Sequence, residues 1–177
     1  MKQVIITNGY PRSGKDEFAK ILNSYILTVK YSSIDCVRNG ASEAGWYNGG
    51  KKDKDRKFLS DLKKLLTDYN DIPFNDLKYI YDDFVNELYA PESEILIFDI
   101  REPDEIQRAV KEFNAITVFI SNSNVTPTLS NSSDANVENY HYDYYIDNSG
   151  TLDDFEKNIK CFYDDVMQSK GENNWLR

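Results

Sequence analysis

The feature that narrows the fold most is a strand, a glycine loop and a helix joined without a gap. Residues 3–7, QVIIT, are short, β-branched and apolar, as suits a parallel strand buried on both faces. The loop NGYPRSGK follows at 8–15, and then Phe18, Ile21, Leu22, Tyr25 and Ile26 recur at helical spacing. Gly9 and Gly14 permit backbone angles that side chains resist. The intervening residues, Arg12 and Ser13 among them, can therefore curl their N–H groups around an anion. The helix that begins at the loop adds the partial positive charge of its amino end, and Lys15 supplies a mobile cation.

The rest of the chain alternates in the same way. Strands are expected at 27–33 (LTVKYSS), 93–100 (SEILIFDI), 115–121 (AITVFIS) and 142–147 (YDYYID). Helices are expected from Arg56 to Tyr69, with Phe58, Leu59, Leu62, Leu65 and Leu66 in one stripe, and from Phe74 to Tyr89 through Leu77, Ile80, Phe84 and Leu88. A short helix follows Pro103 with Ile106, Val110 and Phe113 inward, and a last one spans 152–167, opened by a Thr151–Asp154 capping pair. Strands alternating with helices predict an α/β sandwich around a mainly parallel, five-stranded sheet. Two polar stretches interrupt it: 39–55, rich in glycine and charge, and 121–137, rich in Ser and Asn. Each reads either as a substrate loop or lid, or as surface loop.

Composition bears on partners. At 177 residues, with 40% hydrophobic and 29% charged, the chain suits one soluble domain. Its net charge of -9 argues against a broad nucleic-acid or membrane surface, while leaving room for a local basic pocket. Cys36 and Cys161 have no metal-ligand spacing, and a reducing cytosol fits them. His141, alone among aromatics, reads as a strand-face residue, and Tyr140, Tyr142 and Tyr144 read as packing.

Gly9, Gly14 and Lys15 fit the G-x-x-x-x-G-K core of the P-loop, but Asp16 stands where a hydroxyl is usual. A carboxylate there can hold Mg²⁺, directly or through water, or can favour the helix start. With this residue, GYPRSGKDEFA resembles the G-K-D loop of the deoxynucleoside monophosphate kinase branch of the P-loop kinases, typified by bacteriophage enzymes. Animal-type phosphomevalonate kinases carry a similar loop.

The resemblance implies a single P-loop kinase domain over 1–177, with 39–90 as an acceptor-nucleotide-binding insertion and 121–137 as the lid. It implies ATP and Mg²⁺, a nucleoside or deoxynucleoside monophosphate as acceptor, and a bacterial or phage-infected cytosol, and it leaves a homodimer open. Within ILIFDIREPDEIQ (95–107), the D-x-R after the strand is also typical of these kinases. Asp99 would hold a magnesium water or position the acceptor phosphate, and Arg101 would neutralise charge on the transferring group. Glu105 would pair with Arg101 or Arg108.

Around the second strand, Asp35 and Arg38 lie where these kinases lead into their acceptor segment. Arg56 resembles the arginine that opens the following helix, and guanidinium suits phosphate recognition. Asn148, Gly150 and Thr151 match a loop near the donor adenine, although a turn with an N-cap explains Gly150 and Thr151 equally. One departure stands out: 121–137 contains no Lys or Arg. Either the lid closes through hydroxyl and amide groups, or the catalytic cations come from elsewhere, with Arg12 a candidate. A kinase for another small phosphorylated acceptor and a non-catalytic nucleotide-binding module are the rival readings.

Overall fold

The structure, a computed structural model, describes residues 2–47, 53–88, 90–125 and 137–172. Most of the expected lid, the middle of the glycine-rich stretch, Tyr89 and the terminal Trp175 lie outside these residues. Five strands form one sheet: β1 (Gln3–Asn8), β2 (Thr28–Ser32), β3 (Ile95–Asp99), β4 (Ile116–Ser121) and β5 (Tyr144–Asp147). Every pairing is parallel, in the order β2-β3-β1-β4-β5. β1 lies at the centre and all six of its residues are buried. That explains its unbroken apolar run, since a central parallel strand meets helices on both faces.

Among the described residues six helices complete three layers: α1 (Lys15–Tyr25), α2 (Asp35–Glu43), α3 (Asp53–Asn70), α4 (Ile72–Val85), α5 (Pro103–Phe113) and α6 (Leu152–Glu172). Alternate residues of β1 feed two cores. Ile5 points toward Phe18, Ile21 and Leu22 of α1 and Phe155, Ile159 and Phe162 of α6. Val4 and Ile6 point toward Phe74, Leu77 and Phe84 of α4 and Ile106, Ala109 and Phe113 of α5. The second core centres on Phe113, whose ring lies 5.8 Å from Phe74, 4.9 Å from Tyr81 and 5.3 Å from Phe98.

Several expectations are corrected. The stripe of α3 is not a core face: the helix buries none of its side chains, and Leu65 is 64% exposed. It packs on α2 and α4 rather than on the sheet. A helix that the glycine-rich reading missed, α2, runs through Gly40, with Val37 and Ala41 buried. Leu88, expected inward, lies past the end of α4 and is exposed. β5 begins only at Tyr144, so Tyr142 is a buried pre-strand residue and not part of an alternating strand face. The capping pair is present as a reciprocal box: the Thr151 N–H and hydroxyl donate to Asp154 at 3.1 and 2.7 Å, and the Asp154 N–H returns 3.2 Å to Thr151 Oγ1.

Removing the Phe113 ring empties the meeting point of four aromatic side chains. Phe113→Ala is expected to lower unfolding stability by about 3–5 kcal/mol, read from the shift of a urea unfolding curve.

Candidate functional site

The register of the central strands sets the floor of the site. Thr7 of β1 pairs with Asp99 of β3, and Asp99 pairs with Ser32 of β2, so three strands end level with one another. The connection from β1 leads toward β2 and that from β4 toward β5, on opposite sides. Between two such strands a parallel sheet opens a crevice at its carboxyl edge, and the 9–14 loop lies there.

Steric room fixes the loop glycines. Gly9 has φ 146°, and a Cβ there would fall 2.4 Å from the Ile120 carbonyl oxygen of β4. Gly14 has φ 108°, and its Cβ would fall 2.3 Å from Asn148 Nδ2. Arg12, also at positive φ (69°), is exposed on the loop. Ser13 is buried, and its Oγ has no hydrogen-bond partner among the described residues. Two asparagines brace the loop from outside. Asn8 accepts from the Gly9 N–H at 2.8 Å through Oδ1, while its Nδ2 donates to Tyr142 Oη at 2.7 Å and to the Arg101 carbonyl at 3.2 Å. Asn148, from the β5–α6 turn, donates to the Ser13 carbonyl at 2.9 Å. Gly9 and Ser13 donate their N–H groups to Asn8 Oδ1 and, at 3.1 Å, to the Tyr10 carbonyl, so the braced loop has little freedom to reorganise.

Lys15 folds back over the loop and donates to the carbonyls of Gly9 at 2.7 Å and Tyr10 at 3.0 Å. Burial pushes its pKa down to about 8, and the neighbouring Arg101 pushes in the same direction, against partial support from Asp99. The cation is therefore only marginally stable where it sits, and an incoming anion would restore its charge.

Asp99 uses both oxygens. The Thr7 hydroxyl donates to Oδ1, and the Lys30 ammonium lies 2.8 Å from Oδ2. Lys30 also forms an ion pair with Asp16 at the start of α1. Burial works against its charge, but Asp99 and Asp16 outweigh burial and raise its pKa. The two carboxylates expected to face a metal thus face one cation, here an ammonium. Hard carboxylate oxygens converging on one positive centre suit Mg²⁺, which completes its shell with water and phosphate oxygens. Among the described residues no group of three or more His, Cys, Asp or Glu could hold a metal by itself, so such an ion would depend on the phosphates it accompanies.

The remaining candidates are more spread out. Asp35 accepts from the Ser32 N–H at 2.8 Å and pairs with Arg38 at 2.9 Å, closing the turn from β2 into α2. Arg56 lies half-buried in the first turns of α3. Thr151 is committed to its cap, and Gly150 backs onto Asp154. Glu105 does not pair with Arg101 or Arg108 in the way its spacing suggests. It meets Lys63 of α3 at 2.7 Å, and Lys63 also donates to Ser33 Oγ at 2.9 Å, while Arg108 pairs with Asp71. Sequence reasoning missed Lys30, Thr7, Asn8 and Lys63. An Asn at the end of the buried strand and a Lys in the middle of an apolar one were the available signals for Asn8 and Lys30.

A scan against protein-family models and a search of curated proteins found no match. Solved structures are similar in fold. One is of a candidate kinase from Chloroflexus aurantiacus, at TM-score 0.51 and 12% identity over 94% of this chain and 97% of that chain. Another is of TT1252 from Thermus thermophilus, at TM-score 0.47 and 16% identity over 93% and 98%. At 12% identity the likeness to the Chloroflexus protein is one of architecture. With the parallel order and the glycine loop after β1, it shows a three-layer α/β sandwich, a fold consistent with that of P-loop NTPases.

Proposed function

We propose that this protein transfers the γ-phosphoryl group of ATP to a nucleoside or deoxynucleoside monophosphate, giving ADP and the diphosphate. The observation that carries the reading is Lys15: a half-buried lysine, docked on carbonyls of its own loop at the amino end of α1, with its charge destabilised. A polyphosphate would relieve that cost and accept the loop amides at the same time. Phosphoryl transfer asks a protein for positioning and charge neutralisation more than covalent chemistry.

The roles follow from chemistry. Gly9 to Gly14 cradle the donor phosphates, and Lys15 binds the outer ones. Bound Mg²⁺ would neutralise charge on the β- and γ-phosphates, and Asp16 and Asp99 are the residues that would hold it. Arg101, whose charge already acts on Lys15, offsets charge on the transferring group. Arg12, exposed on the loop, is the candidate for a cation that a lid would otherwise bring. Arg38 and Arg56 are candidates for the acceptor phosphate, with 39–90 as the acceptor segment. Asn148 serves the donor side by bracing the loop. The acceptor phosphate is already an anionic nucleophile, so no general base is required. The reaction draws on ATP and belongs in a cytosol, bacterial or phage-infected.

The test is ADP release from ATP and Mg²⁺ across the common nucleoside and deoxynucleoside monophosphates. Turnover with at least one is expected, with Lys15→Ala lowering kcat/KM by about 100-fold or more. Turnover only with a non-nucleotide phosphate, or ATP binding without turnover on any acceptor, overturns the assignment.

The same lysine sets two opposed pH dependences. Its folded pKa of about 8 lies below the 10.5 of an unperturbed lysine. Between these values the unfolded chain holds a proton that the folded chain has released, so stability rises with pH across the window. Triphosphate binding needs the ammonium and weakens above pH 8. Urea unfolding of the ligand-free protein should show wild type gaining on Lys15→Met from pH 8 to 10, while calorimetry shows ATP affinity falling over the same range in wild type.

A further inference from the structure

Lys30 belongs to no role assigned so far, yet it occupies the most charged point of the site. It lies in the middle of the edge strand β2, in register with Ile97 of β3, two residues before the level at which Ser32 meets Asp99. Alternation along β2 sends Val29 and Tyr31 into the core beneath α4 and α5 and turns Lys30 to the opposite, α1 face. From there its side chain runs toward the carboxyl edge of the sheet and ends between two carboxylates on different elements, Asp16 on α1 and Asp99 on β3.

The three groups differ in exposure. Side-chain exposure is 25% for Lys30 and 18% for Asp99, against 91% for Asp16. The arrangement thus joins one sheltered carboxylate, fixed through its other oxygen by Thr7, to one solvent-facing carboxylate beside the phosphate loop. An exposed ion pair contributes little to stability. The pair with Asp16 therefore makes better sense as occupancy of a cation position than as a structural tie.

We propose that the Lys30 ammonium competes with the divalent cation for Asp16 and Asp99, so that the nucleotide-free protein binds metal weakly and takes it up together with the triphosphate. The physical reason is mutual exclusion. An ammonium in contact with both carboxylates occupies the position where they converge, and like charges a few ångströms apart in a half-buried cleft repel strongly. A metal that arrives already bound to phosphates brings its own negative charge. Lys30 can then exchange its carboxylate partners for phosphate oxygens and remain neutralised. Lys30 acts here through the carboxylates, as a positioning residue, and its effect is an order of events: metal with nucleotide, not metal first. This deepens the phosphotransfer reading, on which it rests for the identity of the two carboxylates as metal ligands.

The test is a Mn²⁺ titration of the protein without nucleotide, with free Mn²⁺ followed by electron paramagnetic resonance. Lys30→Met is expected to bind Mn²⁺ at least about tenfold tighter than wild type, as loss of an adjacent positive charge predicts. Lys30→Arg, which keeps a cation, should stay near wild type. Asp16→Asn added to Lys30→Met should remove the gain. Lys30→Gln is the second neutral variant, read in place of Lys30→Met should the latter fail to give a cooperative melt by circular dichroism. An affinity within twofold of wild type in the folded neutral variant, or a gain that survives Asp16→Asn, overturns the proposal. Because the titration contains no ATP, absence of kinase turnover leaves its outcome intact. Turnover with an unchanged Mn²⁺ affinity in the neutral variant overturns this inference alone.

Discussion

The structure depends on the double pairing of β1. Hydrogen-bonded in parallel to β3 on one edge and β4 on the other, it is buried along its whole length; its Thr7 meets the last residue of β3, while β4 runs on past it to Ser121. The loop that leaves it must turn sharply between the Ile120 carbonyl on one side and Asn148 on the other, where no Cβ fits at Gly9 or Gly14. That confinement fixes the course of the loop and the point where α1 starts. It also brings Thr7 beside Asp99, so the sheet register places a carboxylate at the mouth of the loop.

Charge is arranged against the background of the whole chain. The protein carries a net -9, yet Arg101 and Lys30 both act on Lys15 at the end of the sheet. In a half-buried cleft such charges interact far more strongly than on an open surface. Burial first, and then the repulsion of Arg101 and Lys30, lowers the pKa of Lys15, against partial relief from Asp99 and Asp16. A site that holds a destabilised cation is prepared for an anion. Steering by the overall charge would oppose a nucleotide, so the local cluster must carry recognition.

Legibility followed the range of the interactions. The strand, the loop and the face of α1 were readable because period, glycine spacing and burial coincide within some twenty consecutive residues. The box of Thr151 and Asp154 was readable for the same reason. The stripe of α3 misled because a helix packed only on other helices at the edge of the fold shows the same period as one on a core. α2 was hidden by Gly40, whose helix-weakening effect is small enough for the packing of Val37 and Ala41 to override. Glu105 was assigned a neighbour close in sequence, Arg101 or Arg108, whereas its partner is 42 residues away.

The amino-acid sequence by itself determined that the chain would form a parallel α/β sandwich with a glycine loop after its first strand, because those properties arise from local spacing. Tertiary structure decided which charges would meet there. Lys30 reaches Asp99 only because β2 pairs with β3, and reaches Asp16 only because α1 packs on that same face. Asn148 supports Ser13 across 135 residues only because β5 closes the sheet beside β4. Such contacts depend on strand order and register, and no local pattern encodes either.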